Sequence, residues 1–262
     1  MWVIPLIFLL GLSAGSFLNV VIDRIYRNES FVGGRSHCPR CNTKLASRDL
    51  IPLVSFLFLK GKCRTCKKSI SLQYPLVELA TGVLFVLEYL RMITGVWWPT
   101  EAVAHPLLFF GRDLIFLSTL VIIFVYDLRY MLILDRITVP AILFALGANM
   151  FLGLSLYNML LGALVIGGFF LLQFVLSRGT WVGGGDIRLG VLMGVMLGLK
   201  SGLVALFSSY VFGAIVVILL LLLKRKAFKA EIAFGPFLVI GTYFALIFGD
   251  YVVQKFSPFL MI

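Results

Sequence analysis

Charged side chains are scarce in this sequence. Asp, Glu, Lys and Arg make up 13% of its 262 residues, whereas 61% of the residues are hydrophobic. Soluble globular domains carry about a quarter charged residues and about half apolar ones. A soluble fold of this size could not bury so much apolar surface. The composition therefore excludes an ordinary soluble domain and indicates a protein whose solvent is lipid.

The amino terminus lacks the basic leading segment of a cleavable signal peptide. The first twenty residues run without a break into the rest of the chain. They therefore predict a first transmembrane helix. The sequence also contains no internal repeat and no low-complexity tract.

Apolar stretches of about 20 residues, the length that crosses a bilayer as a helix, recur along the chain. We predict an all-α polytopic membrane protein of about eight transmembrane helices with a small cytoplasmic loop domain. The two spans that flank Lys200–Gly202 have a very short connection. The predicted spans are Trp2–Val21, Tyr74–Met92, His105–Tyr126, Ile137–Leu156, Asn158–Leu176, Ile187–Val204, Leu206–Leu223 and Ala233–Val252.

Basic residues are distributed unevenly among the predicted loops. The loops 23–73, 127–136, 178–188 and 224–231 hold 11, 2, 2 and 4 Lys or Arg, which is 19 of the 23 in the chain. Because cytoplasmic loops carry an excess of Lys and Arg, we expect these four loops inside and both chain ends outside. The net charge of +11 then indicates attraction to anionic lipid and not to nucleic acid.

All four cysteines lie in the basic loop 23–73, as C-P-R-C (Cys38 and Cys41) and C-R-T-C (Cys63 and Cys66). Two C-x-x-C pairs at this separation predict a tetrahedral zinc site. Two disulfides, free thiols or a redox pair are alternatives, but the reducing cytoplasm disfavours structural disulfides. Four sulfur ligands leave no open position, so we expect zinc to stabilise a loop domain with little core.

Two aspartates, Asp127 and Asp186, lie at the cytoplasmic ends of predicted spans. Carboxylates at membrane depth are costly, which makes both functional candidates. Two carboxyl groups in one space share a proton, so one can activate water while the other protonates a leaving nitrogen. The alternative is that Asp127 pairs with Arg129 and that Asp186 caps a helix beside Arg188. Asp135 occupies the same loop as Asp127 and is its rival by position.

The run Gly183–Gly184–Gly185 directly precedes Asp186. Glycine lets another backbone approach closely and adopts dihedral angles that other residues avoid. We therefore expect these glycines to give a peptide substrate room beside Asp186.

Several motifs occur in a fixed order: G-S-F-L-N-V-V-I-D-R from Gly15, R-S-H-C-P-R-C, G-K-C-R-T-C, Y-P-L-V-E from Tyr74, G-G-G-D ending at Asp186, and F-G-P-F from Phe234. Together they resemble the type IV prepilin peptidases, which are leader peptidases and N-methyltransferases of the GxGD aspartic class. The resemblance covers nearly the whole chain. It departs at Leu134, where many relatives have proline, and at Arg188, where lysine is common.

The resemblance implies that Asp127 and Asp186 are the catalytic pair of an aspartic endopeptidase. Such an enzyme removes the short basic leader of prepilins or pseudopilins, after a glycine, at the cytoplasmic face of the bacterial inner membrane. It then methylates the new amino terminus with S-adenosylmethionine, and its cysteine loop is associated with the methylating half. The expected domains are 1–22 (first transmembrane helix), 23–73 (tetracysteine domain) and 74–262 (seven-helix peptidase domain).

The site of the methyl donor is not assigned by pattern, because the sequence has no Gly-rich nucleotide fingerprint of the soluble methyltransferase kind. Glu78, near the cytoplasmic face, is a candidate for it. The alternative for Glu78 is an interfacial carboxylate paired with a loop cation.

Two other functions compete with the peptidase. A transporter or channel would use its aspartates to carry protons or ions, and acidic residues deep in several spans would favour it. A zinc-stabilised assembly factor would need neither aspartate for chemistry.

Overall fold

A computed structural model describes residues 2–97, 99, 104–223 and 233–256 of the chain. The described residues form eight α-helices and one 3₁₀ helix, Ser47–Asp49. The predicted basic loop 224–231 lies outside the described residues. The α-helices are α1 (Val3–Tyr26), α2 (Val54–Phe58), α3 (Gln73–Thr94), α4 (Pro106–Tyr130), α5 (Asp135–Phe151), α6 (Leu156–Ser177), α7 (Gly184–Leu222) and α8 (Gly235–Phe256).

The all-α class and the multi-pass character are confirmed. Over the described ranges the only strand-like pairings are two isolated bridges in the cysteine domain. Five helices, α1, α4, α6, α7 and α8, are long and apolar enough to cross a membrane. Helix α5 has 17 residues and α3 carries three charged side chains in its length, so the count of about eight crossings stays a prediction.

The chain forms two compact units, Met1–Thr94 and Gly95–Ile262. In the first unit α1 and α3 pack backbone to backbone. A Cβ atom added to Gly11 would lie 2.7 Å from the Cα of Gly82, and one added to Gly15 would lie 2.7 Å from the Cα of Glu78. The sequence grouped α3 with the peptidase domain, whereas this packing joins α3 to α1.

Helix α7 folds back on itself at Gly198, whose φ of 72° and ψ of −172° are not helical. A Cβ on Gly202 would lie 3.9 Å from the Cα of Gly194. Eight residues of continuous helix would separate these positions by about 12 Å. We call the two antiparallel halves α7a (184–197) and α7b (199–222). The predicted connection between Val204 and Leu206 was therefore wrong by about two turns.

Two asparagines hold this turn. The Asn149 amide donates to the Val195 carbonyl (2.9 Å), and the Asn158 Oδ1 atom accepts the N–H of Leu199 (3.0 Å). A helix that stops leaves its last carbonyls and the next helix leaves its first N–H groups without partners. The turn at Gly198 therefore ends one helix and begins the next with its polar groups satisfied.

Candidate active site and metal centre

Asp127 lies in the last turn of α4, and Asp186 lies in the first turn of α7a. Both are buried, with 5% and 9% of their surface exposed. Helix α4 ends because Met131 adopts the left-handed conformation (φ 53°), with its N–H bonded to the Asp127 carbonyl at 2.8 Å. The chain then runs through a short segment, 131–134, before α5 begins.

Each carboxyl group accepts a hydrogen bond at the amino terminus of a helix. The backbone N–H of Gly235, where α8 begins, donates to Asp127. The backbone N–H of Gly183 donates to the Asp186 Oδ2 atom at 3.0 Å. The partial positive charge at the amino end of a helix favours a carboxylate at both positions, whereas burial disfavours the charged form.

The two aspartates, 59 residues apart in sequence, converge in the fold. Ile133 packs between Gly185, which directly precedes Asp186, and Gly235, whose N–H binds Asp127. Its Cβ atom lies 2.7 Å from where a Cβ on Gly185 would be, and its Cδ1 atom lies 3.2 Å from where one on Gly235 would be. The charge of Asp127 also acts on Asp186. The structure therefore brings the predicted pair together.

The glycines near the pair differ in how much room they have. A Cβ on Gly235 would lie 2.5 Å from the Asp127 Oδ2 atom, and one on Gly185 would collide with Ile133. Side chains at Gly183 and Gly184 would make ordinary contacts, at 3.6 Å and 3.8 Å. Position 185 must therefore be glycine because Ile133 packs against it. That Gly183 and Gly184 give room to a substrate backbone stays a prediction.

The alternative role for Asp186 is correct in part. Its carboxylate does cap the start of α7a through Gly183. Arg188, however, forms an ion pair with Asp135. Asp135 is 59% exposed, and it is bound to Arg188. By position in the sequence, Asp135 and Asp127 were equally good candidates for the catalytic pair. In the structure Asp127 is buried, whereas Asp135 is exposed and ion-paired.

The sequence did not identify three residues that complete the site: Gly235, Ile133 and Tyr210. The F-G-P-F motif was a signal for Gly235. Tyr210, on α7b, interacts electrostatically with Asp186. Its hydroxyl accepts a hydrogen bond from the Gln173 amide at 3.2 Å, and its ring lies 5.1 Å from that of Phe234.

The four cysteines form one cluster in the first unit. A sulfur atom from each of them lies within 4.8 Å of the others, and the sulfurs of Cys38 and Cys66 are 3.9 Å apart. None of the four is in a disulfide. A tetrahedron with zinc–sulfur bonds of 2.3 Å has sulfurs about 3.8 Å apart. The donor set and its spacing therefore fit a tetrahedral metal ion.

The two C-x-x-C segments have the same backbone hydrogen bonds, 25 residues apart. In the first, Cys38 N–H donates to the Thr43 carbonyl (3.0 Å), and Asn42 N–H donates to the Cys38 carbonyl (2.9 Å). The second repeats both bonds with Cys63, Lys67 and Lys68, at 2.9 and 3.0 Å. Each segment is closed by one β-bridge, His37 with Lys44 or Lys62 with Ser69.

The cysteine thiols do not ionise alike without a metal. The Thr43 hydroxyl beside its sulfur lowers the pKa of Cys41 to about 6. The Lys68 N–H favours the thiolate of Cys66, but burial and the neighbouring cysteine sulfurs outweigh it and raise the pKa of Cys66 to about 11. A divalent cation would allow all four to be thiolates, since metal binding displaces thiol protons.

Glu78 binds backbone and not a loop cation. It is 8% exposed, and its carboxylate accepts the N–H of Leu53 at 2.8 Å. The Ser16 hydroxyl also bonds to it. The loop-cation alternative is therefore wrong, and a contact of Glu78 with a methyl donor stays a prediction.

Two family models match the chain. The model of the bacterial peptidase A24 N-terminal domain matches residues 9–92, and the model of the type IV leader peptidase family matches residues 114–218. The first match ends close to the boundary of the first compact unit, and the second contains both Asp127 and Asp186.

Three curated relatives match over nearly their whole length. A protein of Bacillus subtilis is 34% identical over 96% of this chain and 96% of its own. Proteins of Aeromonas salmonicida and Pseudomonas aeruginosa are 34% and 31% identical, over 95% and 96% of this chain and 92% of each relative. All three are named prepilin leader peptidase/N-methyltransferase. No solved structure gives a significant match.

Proposed function

Because this chain belongs to the type IV leader peptidase family, we propose that it removes leader peptides from prepilins or pseudopilins and methylates the amino terminus that cleavage creates. In this proposal Asp127 and Asp186 carry out the hydrolysis. The observation that supports it most is their convergence, since two buried carboxyl groups from separate helices lie within electrostatic reach.

Two carboxyl groups at such a site hold one proton between them. The ionised member removes a proton from water, and the water oxygen bonds to the carbonyl carbon of the scissile amide. The protonated member gives its proton to the amide nitrogen as the carbon–nitrogen bond breaks. The N–H groups of Gly183 and Gly235 hold the two carboxyl groups in place during this exchange.

Zinc is the metal that we assign to Cys38, Cys41, Cys63 and Cys66, because tetrahedral four-sulfur sites in a reducing compartment suit it. The four thiolates would hold the ion and leave no position for substrate. Its role is thus to fix the two C-x-x-C segments against each other, and the cysteine domain would lack a fixed fold without it.

S-adenosylmethionine would supply the methyl group to the free amine after cleavage. The polar residues near Glu78 are engaged with protein groups: Asn19 donates to the Tyr74 carbonyl (3.1 Å), and Asp23 bonds to the Tyr74 hydroxyl. These residues do not form an open donor set for the cofactor. We therefore assign no residue to the transfer of the methyl group.

We place the aspartates at the cytoplasmic face of the bacterial inner membrane. The end of α4 and the starts of α7a and α8 meet at the pair. The loops at these ends, 127–136, 178–188 and 224–231, are three of the four that hold most of the Lys and Arg. The positive-inside rule supports this orientation.

The transporter alternative would use carboxylates deep in the membrane. In the second unit Asp113 is buried and ion-paired with Arg112 at 2.8 Å. In the first unit Glu88 is buried and paired with Arg91 at 2.8 Å. Both charges are neutralised within the protein, which suits a structural role better than ion transport.

The proposal is tested with purified protein in liposomes, a synthetic prepilin and S-adenosylmethionine, with products measured by mass spectrometry. We expect loss of the leader and then the gain of one methyl mass on the mature product. The Asp186→Asn variant should leave the prepilin intact but still methylate a peptide that already has the mature amino terminus. An intact prepilin after incubation with the wild-type protein, across several pilin types, would contradict the proposal.

A further inference from the structure

The cysteine domain contains an uncharged run, L-I-P-L-V-S-F-L-F-L, at residues 50–59. Within it Leu57 is 72% exposed and Phe58 is 84% exposed, and Leu50, Ile51 and Val54 are also exposed. Charged residues bound the run on both sides, with Asp49 before it and Lys60 after it. A contiguous exposed apolar surface with a polar rim marks an interaction site.

The depth of this run is fixed by the contact between Leu53 and Glu78. The Cα of Glu78 lies against Gly15 of α1, which is six residues before Val21, the cytoplasmic end of the predicted first span. Six residues of helix span about 9 Å, and half of the hydrocarbon core is about 15 Å thick. With α1 as a membrane span, Glu78 therefore lies in the cytoplasmic half of the hydrocarbon core.

One glutamate side chain and one hydrogen bond of 2.8 Å separate Leu53 from that level. We therefore expect the backbone at the start of α2 to lie just below the headgroups, at the cytoplasmic edge of the hydrocarbon layer. The apolar side chains around it are exposed on the surface of the first unit.

Several N–H groups of the run find acceptors within it, as lipid requires of backbone polar groups. The N–H groups of Ser55, Leu57 and Leu59 each donate to the carbonyl four residues earlier, at 3.0 Å. Leu53, which precedes α2, has a positive φ of 59°, and its N–H has no acceptor within the helix. The Glu78 carboxylate accepts this N–H.

We infer that residues 50–59 form a re-entrant segment inserted into the bilayer, with Leu57 and Phe58 against lipid acyl chains. The partner is an anionic phospholipid membrane. Lys60 and Lys62, which follow the run, and Arg48, which precedes it, supply the matching charge at headgroup level. The cysteine domain is then attached to the membrane at three places: α1, this segment and α3. The inference does not depend on the proposed chemistry.

The test uses the full-length protein in nanodiscs of phosphatidylethanolamine and phosphatidylglycerol. A fluorescent amino acid is introduced in place of Phe58 by amber suppression, and in a second protein in place of Lys68, whose side chain is exposed. Quenching is measured with nitroxides on lipid acyl chains and with aqueous iodide. At position 58 we expect acyl-chain nitroxides to quench and iodide to quench about fivefold less than at position 68, because a charged quencher is excluded from hydrocarbon.

Equal iodide quenching at both positions would overturn the inference, because the segment would then be in water. Protection from iodide without quenching by lipid nitroxides would also overturn it, since protein, such as a second copy of the chain, would cover the segment. The same label in place of Leu57 provides an independent position, and agreement between 57 and 58 is expected.

Discussion

The two units of this protein use their buried polar groups in different ways. In the first unit Glu78 accepts the N–H of Leu53, and the Arg24 guanidinium donates to the Ser30 carbonyl at 2.9 Å. In the second unit the described residues give the carboxyl groups of Asp127 and Asp186 one backbone hydrogen bond each.

Glu78 also accepts a second hydrogen bond, from the Ser16 hydroxyl, and we propose that this difference separates a structural carboxylate from two chemical ones. A carboxylate can accept several hydrogen bonds through its two oxygen atoms. Glu78 holds a backbone N–H that has no other partner in its helix, so it stabilises the fold. Asp127 and Asp186 are each held by one N–H at a helix terminus, and in our proposal the rest of their hydrogen-bonding capacity serves water and a substrate amide.

The largest effect that would sharpen this comparison comes from Gly235→Ala. The added methyl would lie 2.5 Å from the Asp127 Oδ2 atom, so the carboxyl group must move. A displacement of about 1 Å at a catalytic group can reduce turnover by about 100-fold. We expect a loss of that size in the initial rate of prepilin cleavage. Gly168→Ala, where nothing lies within 4 Å of the new methyl, is the control. Wild-type rates for Gly235→Ala would contradict the described position of Asp127.

Cys63→Ser tests whether the metal serves the first unit alone. Structural zinc contributes about 10 kcal/mol or more to the folding of small domains. The variant should therefore lose its metal and its methylation of a pre-cleaved peptide while it keeps leader removal. Metal analysis and mass spectrometry report both results, and Thr65→Ser, between two ligands, is the matched control. Full zinc content in Cys63→Ser, or loss of cleavage in a folded variant, would break the comparison.

Glu78→Ala should destabilise the first unit by about 1–3 kcal/mol, the cost of a buried N–H without an acceptor. Glu78→Gln retains an oxygen at the same place and should cost less. Thermal unfolding in detergent, followed by the reactivity of the cysteine thiols, measures the difference. If the two variants have the same midpoint, the hydrogen bond to Leu53 is not what makes Glu78 structural.

Asp49→Asn should have the smallest effect. Asp49 accepts from Arg64 Nε at 2.8 Å and Nη2 at 2.7 Å, but the Arg64 side chain is 46% exposed. Such a pair contributes about 0.5 kcal/mol. The Arg64 hydrogen bond lowers the pKa of Asp49, so the contribution is present at neutral pH and is lost as the pH falls below the usual range of a carboxyl group. Thermal unfolding followed by circular dichroism as a function of pH checks it, and a larger difference between variant and wild type at neutral pH than at pH 3 is the expected sign.

The sequence predicted the reactive groups better than the geometry around them. Asp127, Asp186 and the four cysteines are polar residues at informative positions, and spacing or membrane depth is enough to identify them. Ile133 and Gly235 have no polar side-chain atoms, so their roles follow only from the close packing against the aspartates. Tyr210 approaches Asp186 only because the chain reverses at Gly198.

That reversal shows where hydropathy fails. The run from Leu189 to Leu223 is apolar on both sides of the turn, and the predicted connection near Val204 followed Lys200, the one charged residue in that run. The real turn depends on a glycine with positive φ and on two asparagines from other helices. These are tertiary contacts that a local pattern does not contain. The sequence also did not predict that the two C-x-x-C segments have the same backbone hydrogen bonds, because the cysteines are the only residues that the two segments share.

The most direct measurement of the central claim is the initial rate of leader removal by three purified variants, Asp127→Asn, Asp186→Asn and Asp135→Asn, in liposomes at equal protein content. Asparagine keeps the size of each side chain and removes its acid–base chemistry. We expect the first two to fall by at least about 100-fold, the range of general acid–base catalysis, and the third to stay near the wild-type rate. Normal cleavage by either of the first two, or equal loss in all three, would contradict the assignment of the catalytic pair.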